Sequence, residues 1–569
     1  MEKSLKTLLT VFEMAEVKLS EAIANGLIKY GIKRVYGIIG TTVLNFYDSL
    51  YYHKNEIREI TVRHENVAIS AADAEYRTTR RPAAVVVHAG GGFLNSLTGL
   101  GIAMKDRSRL LLITGGVKRR LKNTDSWLEV NQGEISKSLG IKYHYLEDTE
   151  RFSDVFNEVM KDLFQGLPLP VVLEVPEDLW DKEIDANYEE IDFNKEDNEI
   201  NREDVIRVKE ELKNSKKPLI LVSGEANYEE VNKYIYDLAE IVDGFILTTG
   251  NSRGICDEDD YRCLGRVGYG GGSLFADNAL KSTDYLLILG NEYNDVTTYG
   301  FNLTPSNSIV VVSLDSSSEL RPSYYETIKG NPVNFLKELV KELNNEKRNN
   351  NEDWNNEVKE YRKSWENLLS ETLKRRYENV NPAKFFYELN KVLPKNRIIV
   401  GGQGTHILYA YDYLKIHKFG GFVAATNLGS MGFALPASIG AKIANPDREV
   451  IAIAGDGEAL MSIQALQTIK DENLNVKIII VNDSSYRVLY LKQLINKSGR
   501  VYGTVLNNPD FAKLAESFGI KGIKVDNDNE IDNTLNEIIR DEALLIDLII
   551  SKDDLPPTNT DMVLKTDQV

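Results

Sequence analysis

Short runs rich in Val, Ile and Leu alternate with helical patterns along most of the chain, and no other feature limits the fold as much. The first block carries strand candidates at 34–39, 57–63, 83–88 and 110–114, with helical stretches such as 66–78 and 93–105 between them. A second block has them at 218–222, 285–289 and 309–314, and a third at 397–400, 450–454, 477–482 and 543–549. Strands alternating with helices mean parallel sheets covered on both faces. The expected class is α/β, with three doubly wound parallel-sheet domains in tandem. Two polar stretches, 182–204 and 343–357, read as surface linkers that bury little. They leave domains at 14–182, 205–342 and 375–555, followed by a loose tail. The first and third blocks share a rhythm compatible with a distant duplication.

Charge narrows the function. The 569 residues hold 86 acidic and 68 basic side chains, a net charge of −18. Such a chain is repelled by phosphate backbones and anionic membranes, so neither nucleic acid nor membrane is an expected partner. No apolar run reaches the ~18 residues of a membrane span, and residues 1–27 do not read as a signal peptide. The expected location is the cytoplasm. Cys256 and Cys263 read as two reduced thiols, with pairing left open. The chain has no Gly-Lys dipeptide, hence no Walker A loop, and neither HExxH nor GxSxG occurs.

The most informative segment is 450–488. A buried strand ends in Gly455-Asp456-Gly457, a helix is expected over 459–469, and a second strand ends in Asn482-Asp483-Ser484-Ser485. Small residues there let a diphosphate approach the backbone at a helix N-terminus. The 27 residues from Asp456 to Asp483 suit one helix and one return strand. That spacing sets both carboxylates over the crevice where α/β sheets bind ligands. Two carboxylates and a carbonyl oxygen beside a diphosphate are what Mg²⁺ requires.

This segment resembles the thiamine-diphosphate (ThDP) motif of the acetolactate synthase, pyruvate oxidase and benzoylformate decarboxylase family. There Gly-Asp-Gly precedes Asn-Asn, where this chain has Asn-Asp. The resemblance implies pyrimidine-binding, central and diphosphate-binding domains in that order. It makes Asp456, Asp483 and the Ser485 carbonyl ligands of Mg²⁺, with Gly455 and Gly457 beside the diphosphate. A second match, Thr426-Asn-Leu-Gly-Ser-Met-Gly-Phe-Ala-Leu-Pro, assigns the Gly429 carbonyl to the 4′-amino group. It makes Met431 the buttress between the cofactor's rings. Glu65, after an early strand, matches the glutamate that hydrogen-bonds N1′ of the aminopyrimidine and favours its imino tautomer. The cofactor is then its own base and electron sink.

Weaker matches place Thr41 near the substrate and His88 where benzoylformate decarboxylases carry a histidine that could relay a proton. Tyr486, Val488 and Tyr490 are expected to line the substrate pocket. The family implies a homodimer or dimer of dimers, with Glu65 of one subunit serving Asp456 and Asp483 of another. Departures bear on substrate. Leu128 stands where acetolactate synthases usually have glutamine, and Asn291-Glu292 where relatives often have arginine. Asp315 could hold a ribose; FAD is possible but not favoured. The expected activity is decarboxylation of a 2-oxo acid with carboligation. The alternatives are simple decarboxylation, cleavage of a 2-hydroxyacyl-CoA, and a non-catalytic paralogue.

Overall fold

The computed structural model describes residues 16–191, 200–269, 272–303, 305, 308–314, 325–344, 346–552 and 554–557. They form two compact units. The first holds residues up to 194 except 77–80 and 105–107; the second holds those two short segments and everything from 195 onward.

The first unit is built on six parallel strands. Across the sheet they run Arg58–Thr61, Arg34–Gly37, Ala84–Val87, Leu111–Gly116, Val171–Pro176 and Lys142–Tyr145. The central strands Ala84–Val87 and Leu111–Gly116 are buried throughout, as a sheet covered on both faces requires. Helix Leu19–Lys29 packs its apolar face into this core with Phe156, Met160 and Trp180.

The second unit contains two more six-stranded parallel sheets. In the central one the order is Cys263–Arg266, Phe245–Thr248, Pro218–Val222, Tyr285–Leu289, Ser308–Ser313 and Tyr325–Lys329. The last runs Phe422–Ala424, Ile398–Gly401, Val450–Gly455, Val476–Asn482, Leu544–Ile549 and Lys521–Val525. Counted along the chain, the first and last sheets share one strand order, which gives the similar rhythm of those blocks a structural form. In the last sheet the chain changes direction of travel between Ile398–Gly401 and Val450–Gly455. That switch opens a crevice at their carboxyl ends.

Four expectations are corrected. The stretch 343–357 is no bare linker: helix Glu352–Thr372 begins inside it, and Trp354 is fully buried with its ring edge-on to Phe245. One large ring outweighs many Asn and Glu residues when it finds a core to enter. Trp354→Ala is expected to cost about 3–5 kcal/mol in chemical denaturation; a loss under about 1 kcal/mol would return the segment to the surface. The stretch 93–105 is two helices, Gly91–Asn95 and Leu97–Lys105, parted at Ser96, whose hydroxyl donates to the Gly92 carbonyl. The helix expected over 459–469 is likewise two pieces, Asp456–Ala459 and Ala465–Asp471. Finally, Cys256 and Cys263 are joined in a disulfide, their Cα atoms 5.8 Å apart. Two successive turns, Asp260 N–H to Asp257 O and Cys263 N–H to Asp260 O, fold the seven-residue separation back on itself. Among the described residues no helix is long and apolar enough to cross a membrane.

Candidate functional site

The crevice of the last sheet opens into a cavity of about 590 Å³ within the second unit. Strands Val450–Gly455 and Val476–Asn482 pair residue for residue, Gly455 opposite Val481. This register brings Asp456 and Asp483 to one edge, both buried. Burial, and then the charge of Asp483, push the Asp456 carboxyl up to about 6. Burial raises Asp483 as well, against the pull of Arg487 and Ser485. Arg487 is buried four residues on, its Nε 3.4 Å from Asp483 Oδ2. Its charge offsets the extra carboxylate that Asp483 brings where the resembling family has asparagine. Asn508 Nδ2 donates to Asp456 Oδ2 at 2.5 Å and to Asn482 Oδ1 at 3.1 Å, tying the two strand ends together. Two buried carboxylates, one of them pushed up by the charge of the other, are a donor set for a hard divalent cation. Only glycine fits at 457, because a Cβ there would lie 2.5 Å from the Tyr486 ring.

Gly429 and Met431 line the same cavity, as do Gly455, Gly457, Ser485, Tyr486 and Val488. At Gly429 φ is +69°, a left-handed turn that explains its residue type. Leu489 rather than Tyr490 completes the pocket wall.

Residues outside the motifs hold this end together. Glu458 is buried and accepts from the Gln403 N–H at 2.9 Å and from the N–H groups of Gly432, Phe433 and Ala434 at 3.2–3.4 Å. It thus neutralises the N-terminus of helix Ala434–Ala444 and fixes the Gly429–Met431 bend to the Asp456 turn. His406 Nε2 lies 3.2 Å from the same carboxylate. Glu458→Ala strands several buried donors and is expected to cost about 3 kcal/mol of stability by urea unfolding. A change within about 0.5 kcal/mol would remove Glu458 from this structural role.

In the first unit, Glu65 opens helix Glu65–Thr79. It is half-buried, and its Oε2 accepts from Asn95 Nδ2 at 2.9 Å. His88 follows strand Ala84–Val87 and is also half-buried. Burial lowers its pKa, against the pull of Glu177 and Glu65, so the ring is neutral near pH 7. The Thr42 N–H points at His88 Nδ1 at 3.4 Å, and the Thr42 hydroxyl lies 2.9 Å from it. These contacts favour the tautomer protonated at Nε2. Thr42 also receives the Trp180 indole N–H on its carbonyl, at 2.7 Å. Thr41 by contrast is exposed; the threonine that touches His88 is its neighbour. Leu128 is in a left-handed conformation with its carbonyl against Gly90. Glu292 is buried and accepts from the Gly224 N–H, Thr249 and Asn251. Asp315 lies outside the described residues.

Comparison with known proteins agrees along the chain. Residues 17–138 match the thiamine pyrophosphate enzyme N-terminal TPP binding domain, 205–339 its central domain, and 402–548 its C-terminal TPP binding domain. The chain is 29% identical to a probable acetolactate synthase large subunit of Methanocaldococcus jannaschii, over 94% of this chain and 92% of that protein. It is 28% identical to the acetolactate synthase large subunit of Cyanidium caldarium (93% and 92% covered) and 26% to that of Haemophilus influenzae (95% of each). Three matched domains in the family's order, on three parallel sheets, make this chain a member of the thiamine-diphosphate-dependent enzymes of acetolactate synthase type.

Proposed function

We propose that the enzyme uses ThDP with Mg²⁺ to decarboxylate a 2-oxo acid and join the remaining carbon unit to a second carbonyl, in the cytoplasm. The observation that carries this reading is the buried Asp456–Asp483 pair at the edge of a cavity that also holds Gly429 and Met431. The fit rests on donor chemistry: the two carboxylates repel each other, and a divalent cation relieves that repulsion. Asp456, Asp483 and the Ser485 carbonyl would hold Mg²⁺, with the diphosphate against Gly455 and Gly457. When bound, the cofactor supplies the base and the electron sink.

The chain's own residues then have separate tasks. Glu65 holds a proton at N1′ of the aminopyrimidine, and the Gly429 carbonyl accepts from its 4′-amino group. Met431, on the cavity wall, would pack against the bound cofactor. Tyr486, Val488 and Leu489 shape the wall and exclude water from the reacting carbon. His88, neutral and with its proton on Nε2, would offer that proton to the acceptor's carbonyl oxygen as it becomes a hydroxyl. The assembly is a homodimer or a dimer of dimers, in which Glu65 of one subunit serves the cavity of its neighbour.

His88 also favours a second reading, a decarboxylase that protonates the carbon unit and releases an aldehyde. Both readings require CO₂ from a 2-oxo acid. The test is CO₂ release from a panel of 2-oxo acids, pyruvate included, with ThDP and Mg²⁺ supplied together and singly. Release is expected only with both; none from any acid would defeat both readings.

A further inference from the structure

We propose that the central domain takes no nucleotide cofactor, neither FAD nor ADP, because Glu225 and Glu292 fill the place where a diphosphate would sit. Along the central sheet the chain reverses its direction of travel between strands Pro218–Val222 and Tyr285–Leu289. The carboxyl ends beside such a switch are where α/β sheets receive nucleotide phosphates. Here each of the two strands is followed, three residues on, by a glutamate: Glu225 after Val222 and Glu292 after Leu289. Both residues are buried, at 5% exposure each.

The two side chains reach in opposite directions. Glu292 accepts from the Gly224 N–H at 2.9 Å, the Thr249 hydroxyl at 2.5 Å and Asn251 Nδ2 at 2.8 Å. Thr249 and Asn251 follow the neighbouring strand, Phe245–Thr248. Glu225 accepts from the Ser313 hydroxyl at 2.8 Å and the Leu314 N–H at 2.7 Å, at the end of strand Ser308–Ser313 on the other side. Two backbone N–H groups and three side-chain donors at this edge, the kind that cradle a phosphate elsewhere, thus serve the chain's own acids. The two strand ends also pack directly on each other. A Cβ on Gly290 would lie 2.0 Å from Ser223 Oγ and 2.9 Å from Glu225 Cβ. A diphosphate entering here would have to displace two buried carboxylates of its own sign from their donors. The filled crevice acts as a strut instead: Glu292 Oε1 also accepts from Asn427 Nδ2 at 3.3 Å, and Asn427 lines the cavity of the last sheet.

The test is calorimetric titration of the full-length protein with FAD and with ADP, beside melting curves of wild type and Glu292→Ala. ThDP and Mg²⁺ are present throughout the titrations, so that neither probe enters the cavity through its diphosphate. Neither is expected to bind wild type tighter than about 1 mM, and the protein is expected to purify without flavin absorbance. Glu292→Ala is expected to melt about 3 °C or more below wild type, since three buried donors lose their acceptor. Binding of FAD or ADP to wild type below that concentration, or flavin carried through purification, overturns the proposal. So does an unchanged melting temperature of Glu292→Ala, which would take the carboxylate off those donors. The titrations use wild type alone, so the proposal can still be contradicted if the variant does not fold. No turnover is read, so an enzyme inactive on every 2-oxo acid would defeat the carboligation reading and leave this result interpretable.

Discussion

Glu65→Gln is expected to bind ThDP as wild type does and to lose activity by about 10²–10⁴-fold. The amide keeps the size of the side chain, and its carbonyl can still accept from Asn95 Nδ2. What it cannot do is hold a proton for a ring nitrogen. Glu65 sits in the first turn of helix Glu65–Thr79, and Gln at that place keeps both the size and the bond from Asn95. The change should therefore appear in the catalytic step rather than in folding or cofactor affinity. Turnover on a 2-oxo acid, beside calorimetric titration with ThDP, separates the two. Wild-type turnover would remove Glu65 from the chemistry; lost ThDP binding would make it a binding residue instead.

Asp456→Ala should weaken Mg²⁺ and ThDP together, by about 100-fold or more, since even outer partners of metal ligands commonly carry 10–100-fold effects. The protein itself should not suffer. Asp456 and Asp483 are buried carboxylates of like charge, and the charge of Asp483 raises the cost of ionising Asp456. Removing Asp456 relieves that repulsion, and Asn508 Nδ2, losing one acceptor, keeps its bond to Asn482 Oδ1. The variant should melt at or above the temperature of the cofactor-free wild type, the usual trade between a functional site and stability. Calorimetry with each ligand and a melting curve read both effects. Unchanged ThDP affinity would move the diphosphate elsewhere; a lower melting temperature would make Asp456 a structural residue.

The fold was legible because its signals are local. Val450–Gly455 and Val476–Asn482 are apolar enough to be strands in any context, and the 27-residue spacing then aligns Asp456 with Asp483. What escaped are residues that act through partners distant in sequence. Glu458 reads as an ordinary acid in a first turn; its four N–H donors come from 403 and 432–434, which no period connects to it. A hint was available at Gly402, where any Cβ would strike the Glu458 carboxylate. The contact of Thr42 with His88 was not legible, because one residue of register in the 3₁₀ turn Thr41–Val43 decides which hydroxyl turns inward. Trp354 was hidden among asparagines and glutamates, since composition averages away a single buried ring. The disulfide depended on two turns that neither cysteine specifies.

The most direct test is the product formed from pyruvate by the ThDP- and Mg²⁺-loaded enzyme, identified by mass spectrometry with CO₂ counted alongside. Carboligation predicts acetolactate, with one CO₂ released for every two pyruvates consumed. Acetaldehyde with one CO₂ per pyruvate would contradict it and make the enzyme a simple decarboxylase.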